Sequence, residues 1–593
     1  MKIIIVVSIL FIVLTAIMTF PFVFKMDTHI PGTFDTVEPY NMLWEGWKLK
    51  YAFIKKINLN NFNFAAYPFG NSQVETLNYP IGLFIIKGLS IIKNEAFAYN
   101  FHILLSFLLS GLFMYFLVNY IFNNSLAAFL SGVIYAFCPY HFARSWQHFG
   151  LAQIQWMPLY ILALFKLKEE KIFKNILLIT FSFFVVSMDY TYAYFMIITT
   201  ILFLAFIFIN REEKQKNKIF SLFTISVILS FLITLPFNYI FYRNFIFGVP
   251  AEARGLYYRP FEDLFSQSAR PLSYILPSSF HPIFGKFTQL FMGYNLYGNI
   301  FTEHTLYLGW VPLILAFIAV KSWRGRRSHY KLLVKNEDFY IGFFVVLAIV
   351  AWFFSQPPWW KIGTIKIYMP SFFMYKILPM YRAYCRFGIV VMLAVTVLAG
   401  FGLKFILGKF KTYKSKIALT CLFSSLVLFE FLNFPPFKVI DVSRVPQVYY
   451  WLKEQPRDIV IAEYPLDEDS QNVMYEFYQT KHEKRIINAT IPGTYANKVT
   501  YTIIKLSEPH TAEVLRWLGV KYVLVHKQDY LDTELIEWIE DLNNIPKNVG
   551  LKFIKSFPAQ ECSQNKIKCT QGTGPIDVYE VIATASEPQI SNK

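Results

Sequence analysis

The sequence predicts a polytopic α-helical membrane protein of about eleven transmembrane helices, followed by a C-terminal extracytoplasmic α/β domain. Three observations carry this. The chain is 55% hydrophobic and only 16% charged, with mean hydropathy +0.38, whereas soluble domains carry roughly 25% charged residues. Apolar runs of spanning length recur from residue 3 to residue 434, and the loops between them divide by charge. Beyond residue 435 the apolar runs shorten to strand length.

The 63 Phe and 38 Tyr suit surfaces that face lipid and its interfaces. A formal net charge of +17 raises nucleic acid as a partner. No zinc-type Cys/His array or basic stripe accompanies it, so the excess reads as Lys/Arg of cytoplasmic loops and no nucleic-acid partner is expected. Cys138, Cys385 and Cys421 lie in or near apolar runs and read as small buried residues. Cys562 and Cys569 flank a polar stretch, ECSQNKIKC, and are either bridged outside the cell or two free thiols.

Runs of about 17–25 apolar residues mark spans, and here they lie near 3–24, 96–122, 125–140, 151–166, 175–189, 191–210, 219–241, 304–320, 339–355, 387–408 and 417–434. The first ends TFPFVFKMD without a small-residue cleavage site, so it reads as an uncleaved span. The continuous stretch 175–210 would be about 54 Å long as one helix, too long for a bilayer core of about 30 Å. Its only acid is Asp189, which reads as the tip of a two-span hairpin. Loop charge tests the count. KLKEEKIFK (166–174), REEKQKNK (211–218), KSWRGRRSHYKLLVKNED (321–338) and KFILGKFKTYKSK (404–416) are all net basic. Eleven spans with the N-terminus inside place all four in the cytoplasm, as the positive-inside rule requires. Residues 25–95, 141–150, 242–303, 356–386 and the tail then lie outside.

In the first outer loop, Tyr40, Leu43, Trp44, Trp47, Tyr51 and Ile54 share one helical face, with Asn41, Glu45, Lys48 and Lys55 opposite. Too polar to span, this helix is expected to lie in the interface plane. Asp35 and Glu38 have the D-x-x-E spacing of a capping box. Pro39 argues instead for Glu38 as the N-cap, which leaves Asp35 in the extended segment before it, open to a substrate. The two readings, a catalytic Asp35 and a solvated cap or loop acid, both stand at this point.

Further outer-face groups are candidates for binding an anion. Arg382 and Arg386, in YRAYCRFG, would share a helix face at i,i+4. An arginine cannot shed its charge to ease burial, so two at a membrane boundary need an anion or water; the competing reading is snorkelling to headgroups. Arg270 in SARPLSY, Arg144 and His148 in FARSWQHFG, and Asp189 at the hairpin tip are weaker candidates of the same site, each with an ordinary structural alternative. His281 and His304 carry no assigned role, and nothing has zinc-site spacing. In the tail, RDIVIAEY, VKYVLVH, LKFIKSF and IDVYEVIA read as strands, while VPQVYYWLKEQ and DTELIEWIEDL have amphipathic helical spacing. The domains expected are 1–434 in the membrane and 435–593 outside it, the latter a docking or acceptor-binding domain.

Motif order adds a resemblance. GTFD35 in the first outer loop is followed by Y67-P-F-G and by GVIYAFCPYHFARSWQHFG, then RPLSYILPSSFHPIFG, EHTLYLGWVPL and LPMYRAYCRFG. The tail adds YYWLKEQP, VIAEYPL, YEFYQTKH and LGVKYVLVH. In element order, over nearly the whole chain, this resembles the GT-C superfamily of membrane glycosyltransferases, in particular its prokaryotic branches. The resemblance implies an inverting transfer of a hexosyl or pentosyl unit from a polyprenyl-phosphate carrier to a cell-envelope glycan, lipid or protein acceptor on the outer face of the plasma membrane. It puts the general base on Asp35, with Glu38 or Asp27 as a paired acid, and the leaving phosphate on cationic donors such as Arg382 and Arg386. No cofactor is assigned, and a divalent ion (Mg or Mn) held by Asp35 with Glu38 is the one candidate. The rival from another class is a transporter or flippase of a lipid-linked sugar. Transporters leave internal repeats and mid-membrane ionisable groups, and this sequence has no repeat and clusters its ionisable residues at the outer ends of spans.

Overall fold

The computed structural model describes residues 2–32, 38–59, 62–70, 80–167, 169, 171–209, 216–236, 243, 247–248, 257–297, 302–327, 336–433, 439–466, 471–490, 494–533, 535–559 and 574–582. Catalytic candidate Asp35 and the cysteines Cys562 and Cys569 lie outside them.

The N-terminal part is helical: α1 (Lys2–Met18), α2 (Glu38–Lys55), α3 (Pro80–Ile92), α4 (Glu95–Phe122), α5 (Ser125–Ala136), α6 (Pro139–Gln147), α7 (Trp156–Lys166), α8 (Ile172–Ser187), α9 (Tyr190–Ile209) and α10 (Lys216–Thr234). It continues through α11 (Gly285–Tyr297), α12 (Trp310–Arg327), α13 (Asn336–Ser355), α14 (Pro370–Ile377), α15 (Gly388–Leu407) and α16 (Tyr413–Glu430). Local chemistry sets the boundaries. Asn94 caps α4 by accepting from Phe97 N at 2.8 Å. Asn123, left-handed at φ 48°, ends that helix, and Asn124 caps α5 by accepting from Ala127 N. One Asn-Asn pair therefore closes one helix and opens the next. The apolar stretch 175–210 breaks at Met188–Asp189, where the Asp189 carboxylate caps α9 by accepting from Thr191 N at 2.8 Å.

Five of the described helices are long and apolar enough to cross a membrane, and the bent pair α5–α6 makes a sixth if counted as one span. The chain is a multi-pass membrane protein. The further spans expected from sequence fall on shorter apolar helices, such as α1, α7 and α8, or on α12 and α16, whose terminal turns carry Lys, Arg or Glu430.

Close packing through small residues holds the bundle together, as membranes favour. Buried along nearly its whole length, α15 is the central helix. A Cβ on its Gly402 would lie 2.0 Å from the Leu315 carbonyl of α12. Phe11 of α1, fully buried, fills the space left by Gly111 and Gly132. Cys138 and Cys385 are buried, but Cys421 is exposed on α16. The expectation of a buried Cys421 fails because α16 packs through Thr420, Ser424 and Val427 instead.

The tail builds a mixed five-stranded sheet in the order β6-β5-β7-β9-β8, from β5 (Val460–Tyr464), β6 (Arg485–Ile486), β7 (Val520–His526), β8 (Leu551–Phe557) and β9 (Ile576–Val581). The four stretches read as strands form β5, β7, β8 and β9. Inside the sheet's core, buried Glu463 and His526 tie β5 to β7 at 2.8 Å, and Tyr449 donates to the same carboxylate at 2.6 Å. Burial raises the Glu463 carboxyl despite these partners.

The segment between α1 and α4 packs directly on the tail. β1 (His29–Pro31) pairs antiparallel with β4 (Val439–Asp441). Residues 64–67 extend the sheet edge, with Ile486 N donating to Phe64 O and Tyr67 N to Ile486 O. The helix α2 lies between α3 and α4 on one side and the tail helix Gln471–His482 on the other. The helix expected to lie in the interface plane is therefore also covered by the tail along its polar face. Glu45 and Lys48 on that face are buried under the tail.

Candidate functional site

The site forms where α6 ends, α2 begins, and two loops enter α12 and α15. Pro139 opens α6 at its first turn, a position that suits its missing N–H and fixed φ. Arg144 then points into the interior from the last turn, fully buried. The loop before α12 delivers Glu303, and a 3₁₀ turn at Tyr384–Phe387 delivers Cys385 and Arg386.

Glu303 is the hub. Arg144 grips it in a fork, Nη1 to Oε1 at 2.9 Å and Nη2 to Oε2 at 2.8 Å, and its Nη2 also donates to Thr302 O at 3.1 Å. Arg386 donates from Nη2 at 2.6 Å and from Nε at 3.2 Å. The Cys385 thiol donates to Oε2 at 3.2 Å. Burial alone would raise the Glu303 carboxyl, but Arg144 and Arg386 outweigh it and hold the group well below the usual carboxylate range. The Arg144 guanidinium also lies 5.0 Å from the ring centre of Tyr140. Two guanidiniums thus share one carboxylate in a low-dielectric setting, with the buried Asp189 carboxylate within electrostatic reach of Arg386.

Beside this network lies a second pair. Glu38, the first residue of α2, contacts His148 Nδ1 at 2.6 Å and accepts from Phe149 N at 2.9 Å. His148 follows directly on α6, so one short helix supplies both Arg144 and His148 and links the two clusters. Exposure sorts the roles. The side chains of Arg144 and Glu303 are 0% and 4% exposed, whereas Arg386 keeps 18%, His148 30% and Glu38 37%. The first two are framework; the last three face accessible space.

The remaining candidates are placed elsewhere. Arg382 pairs with Asp263 at 2.7 Å, away from Glu303. The expected shared face of Arg382 and Arg386 does not form, because the segment is an extended turn followed by 3₁₀ geometry and each arginine has its own carboxylate. Arg270 donates to Phe265 O at 2.7 Å and Ser268 O at 3.1 Å, closing its own loop. Asp27 pairs with Lys93 at 2.9 Å. His281 accepts at Nδ1 from the backbone N–H groups of Ile283 and Phe284, so its Nε2 donates to Phe429 O. His304 bonds Ser266 O at 2.9 Å. Sequence reasoning missed Glu303 and Asp263. Its one usable signal was a lone acid just before an apolar span, on the side that also carried unpaired arginines. Among the described residues no group of three or more His, Cys, Asp or Glu is arranged to hold a metal ion.

A polar cluster also joins α2 to the tail. Trp44 Nε1 donates to Gln479 at 2.8 Å, Lys48 sits 3.5 Å from Glu45, and Asn41 donates to Glu476 at 3.5 Å. Burial first, and the Glu45 charge second, push Glu476 up to about 8.

A family model described as "Domain of unknown function (DUF6311)" matches residues 43–428. No curated protein matches the sequence. Among solved structures, the arabinofuranosyltransferase AftD from Mycobacteria aligns at TM-score 0.52 and 12% identity, over 98% of this chain and 41% of that one. The chain thus spans about two-fifths of that protein's length. The Archaeoglobus fulgidus oligosaccharyltransferase aligns at TM-score 0.48 and 14% identity, over 94% of this chain and 72% of that one. ArnT from Cupriavidus metallidurans, bound to undecaprenyl phosphate, aligns at 0.41 and 10%, over 98% and 99%. The fold is GT-C-like.

Proposed function

The chain belongs to the family whose model spans residues 43–428, and from its GT-C-like fold and the geometry of the site we propose that it is an inverting membrane glycosyltransferase. It moves a sugar from a polyprenyl-phosphate carrier to a cell-envelope glycan, lipid or protein acceptor on the outer face. The observation that carries this reading is the Arg144–Glu303–Arg386 network beside the Glu38–His148 pair. A transferase of this kind must hold a phosphate that gains charge as the glycosidic bond breaks, next to a group able to take the acceptor's proton. Arg386 keeps free donor capacity and exposure while Glu303 fixes its orientation, and a preorganised donor of this kind strengthens its hold as charge develops. Proposed roles are Arg386 for the leaving phosphate, with Arg144 as its buried support and His148 hydrogen-bonding the same phosphate or a sugar hydroxyl. Asp189, within electrostatic reach of Arg386, is the remaining candidate beside the site.

The proposed base is Asp35, three residues before Glu38. It attracts the acceptor hydroxyl proton while the acceptor oxygen attacks the anomeric carbon from the face opposite the phosphate. The C–O bond to phosphate breaks, the electron pair leaves with the phosphate, and configuration inverts. A divalent ion on Asp35 with Glu38 would assist the same leaving group. Eleven spans, a cytoplasmic N-terminus, a boundary near residue 434 and an extracytoplasmic tail complete the proposal. Burial of α2 beneath the tail supports the tail as the acceptor-side cover.

The experiment is transfer by the purified protein in nanodiscs, joined to mass spectrometry of lipid-linked sugars and surface glycans in a deletion strain. The transferase reading expects accumulated donor, a truncated glycan, and activity restored by the intact chain but not by Asp35→Asn. Loss of sugar delivery across the membrane with normal transfer in vitro would favour the transporter instead.

A further inference from the structure

Between α13 and α15 the chain makes an antiparallel hairpin, β2 (Trp359–Ile362) and β3 (Ile365–Tyr368), joined by Gly363-Thr364. Gly363 has φ +60°, the left-handed value a two-residue hairpin turn needs at its first position. Register splits the hairpin into two faces. Trp360 opposite Ile367 and Ile362 opposite Ile365 make one face wholly apolar. Trp359 opposite Tyr368 and Lys361 opposite Lys366 make the other aromatic and cationic.

The base of the hairpin is anchored. Trp359 stacks on Phe261, Trp360 packs on Trp352 of α13, and Met369 N donates to Pro358 O at 2.9 Å. Its tip is not. Ile362, Ile365 and Ile367 are 63%, 67% and 43% exposed. Two like charges directly opposite on a strand pair repel, and none of Lys361, Lys366 and Lys376 has an ion pair among the described residues. Residues 356–386 hold three lysines and two arginines without an Asp or Glu. Both arginines already have carboxylates, on Asp263 and Glu303.

We propose that this hairpin is a foot set into the membrane interface, its isoleucine face at the acyl boundary and Lys361 and Lys366 on the phosphates of anionic phospholipid headgroups. Position and charge choose this occupant. Only three residues separate the hairpin from the end of a spanning helix, which keeps it at bilayer depth. Its lysine pair is relieved by anionic phosphate, and an apolar face rimmed with Lys and Trp is what the interface selects. The inference is independent of the proposed reaction.

The test uses the full chain with Ile365→Cys carrying a bimane label, reconstituted in vesicles of neutral phosphatidylcholine with or without phosphatidylglycerol. The unsubstituted chain carried through the same labelling supplies the background. Nitroxide-labelled lipid should quench the probe and aqueous iodide should not. Lys361→Ala with Lys366→Ala should lower the inserted-to-free ratio about 30-fold in anionic vesicles, at the usual attraction of lysine to an anionic surface, and leave neutral vesicles unchanged. Added salt should weaken insertion of the intact foot in the anionic vesicles alone. Quenching by iodide and not by lipid overturns the proposal. Shielding from both quenchers also overturns it, since the face would then be covered by protein or a second copy. An unchanged ratio in the lysine variant removes the headgroup contact.

Discussion

Replacing Glu303 by Gln keeps the shape of the hub and removes its charge, leaving the Arg144 and Arg386 guanidiniums facing each other in a buried setting. Both lie within 2.9 Å of the carboxylate that now separates them. Removing one partner of a buried ion pair costs about 3–5 kcal/mol, because the partner left behind stays desolvated and uncompensated. The variant should lose stability of that order in denaturant titrations of the detergent-solubilised protein. The cycle completed with Arg386→Gln separates charge balance from packing. Removing Arg386 as well relieves the repulsion, so the double variant should be less destabilised than the sum of the singles, with a coupling on the order of 2–3 kcal/mol. The pH dependence has a definite sign. A carboxyl held below its unfolded value contributes stability that is present above about pH 4.3 and lost as pH falls through the depressed folded value. The intact chain should lose that stability below about pH 4, and Glu303→Gln should lack that acid limb. A cost under about 1 kcal/mol, or additive singles, would refute the network as the organiser of the site.

Asp35→Asn should lower transfer by about 10²–10⁴-fold, the range for a general base, with unchanged donor binding and folding; a normal surface glycan profile would remove the assignment. Arg386→Gln should weaken binding of a polyprenyl phosphate by about 10–100-fold, the value of a hydrogen bond to a charged group, whereas Arg382→Gln, whose charge is spent on Asp263, should change it much less. Equal effects in a binding titration would count against the division of roles. Glu476→Gln should remove a pH-dependent weakening of the α2–tail contact. A buried carboxyl raised to about 8 loses stability as pH climbs from its unfolded value toward that point, by up to about 3 kcal/mol between about pH 5 and 7. Hydrogen exchange of α2 across that window checks it, and identical profiles for both proteins refute it.

Period and length made much of this protein legible from the sequence alone. Apolar runs and the break at Asp189 are local features, and local energetics fixes them wherever the rest of the chain goes. The four tail strands were legible for the same reason, since a run of β-branched residues between turn signals needs no distant partner to be recognised. Arg386 could be named as a candidate because a charged side chain at the end of an apolar run is costly without a partner, Arg144 and His148 by their place in a short stretch between apolar runs, and Glu38 by its spacing from Asp35. Which partner each takes was decided only in three dimensions. Arg144 and Arg386 are separated by well over two hundred residues and meet through Glu303, an acid with no local pattern around it. Arg382, four residues from Arg386, turns instead to Asp263. The polar face of α2 reads as solvated in any window of sequence, and only the tail, arriving from more than four hundred residues away, buries Glu45 and Lys48. Periodicity records what a segment needs to bury, while complementary charges on distant segments leave no mark on spacing until the packed helices bring them together.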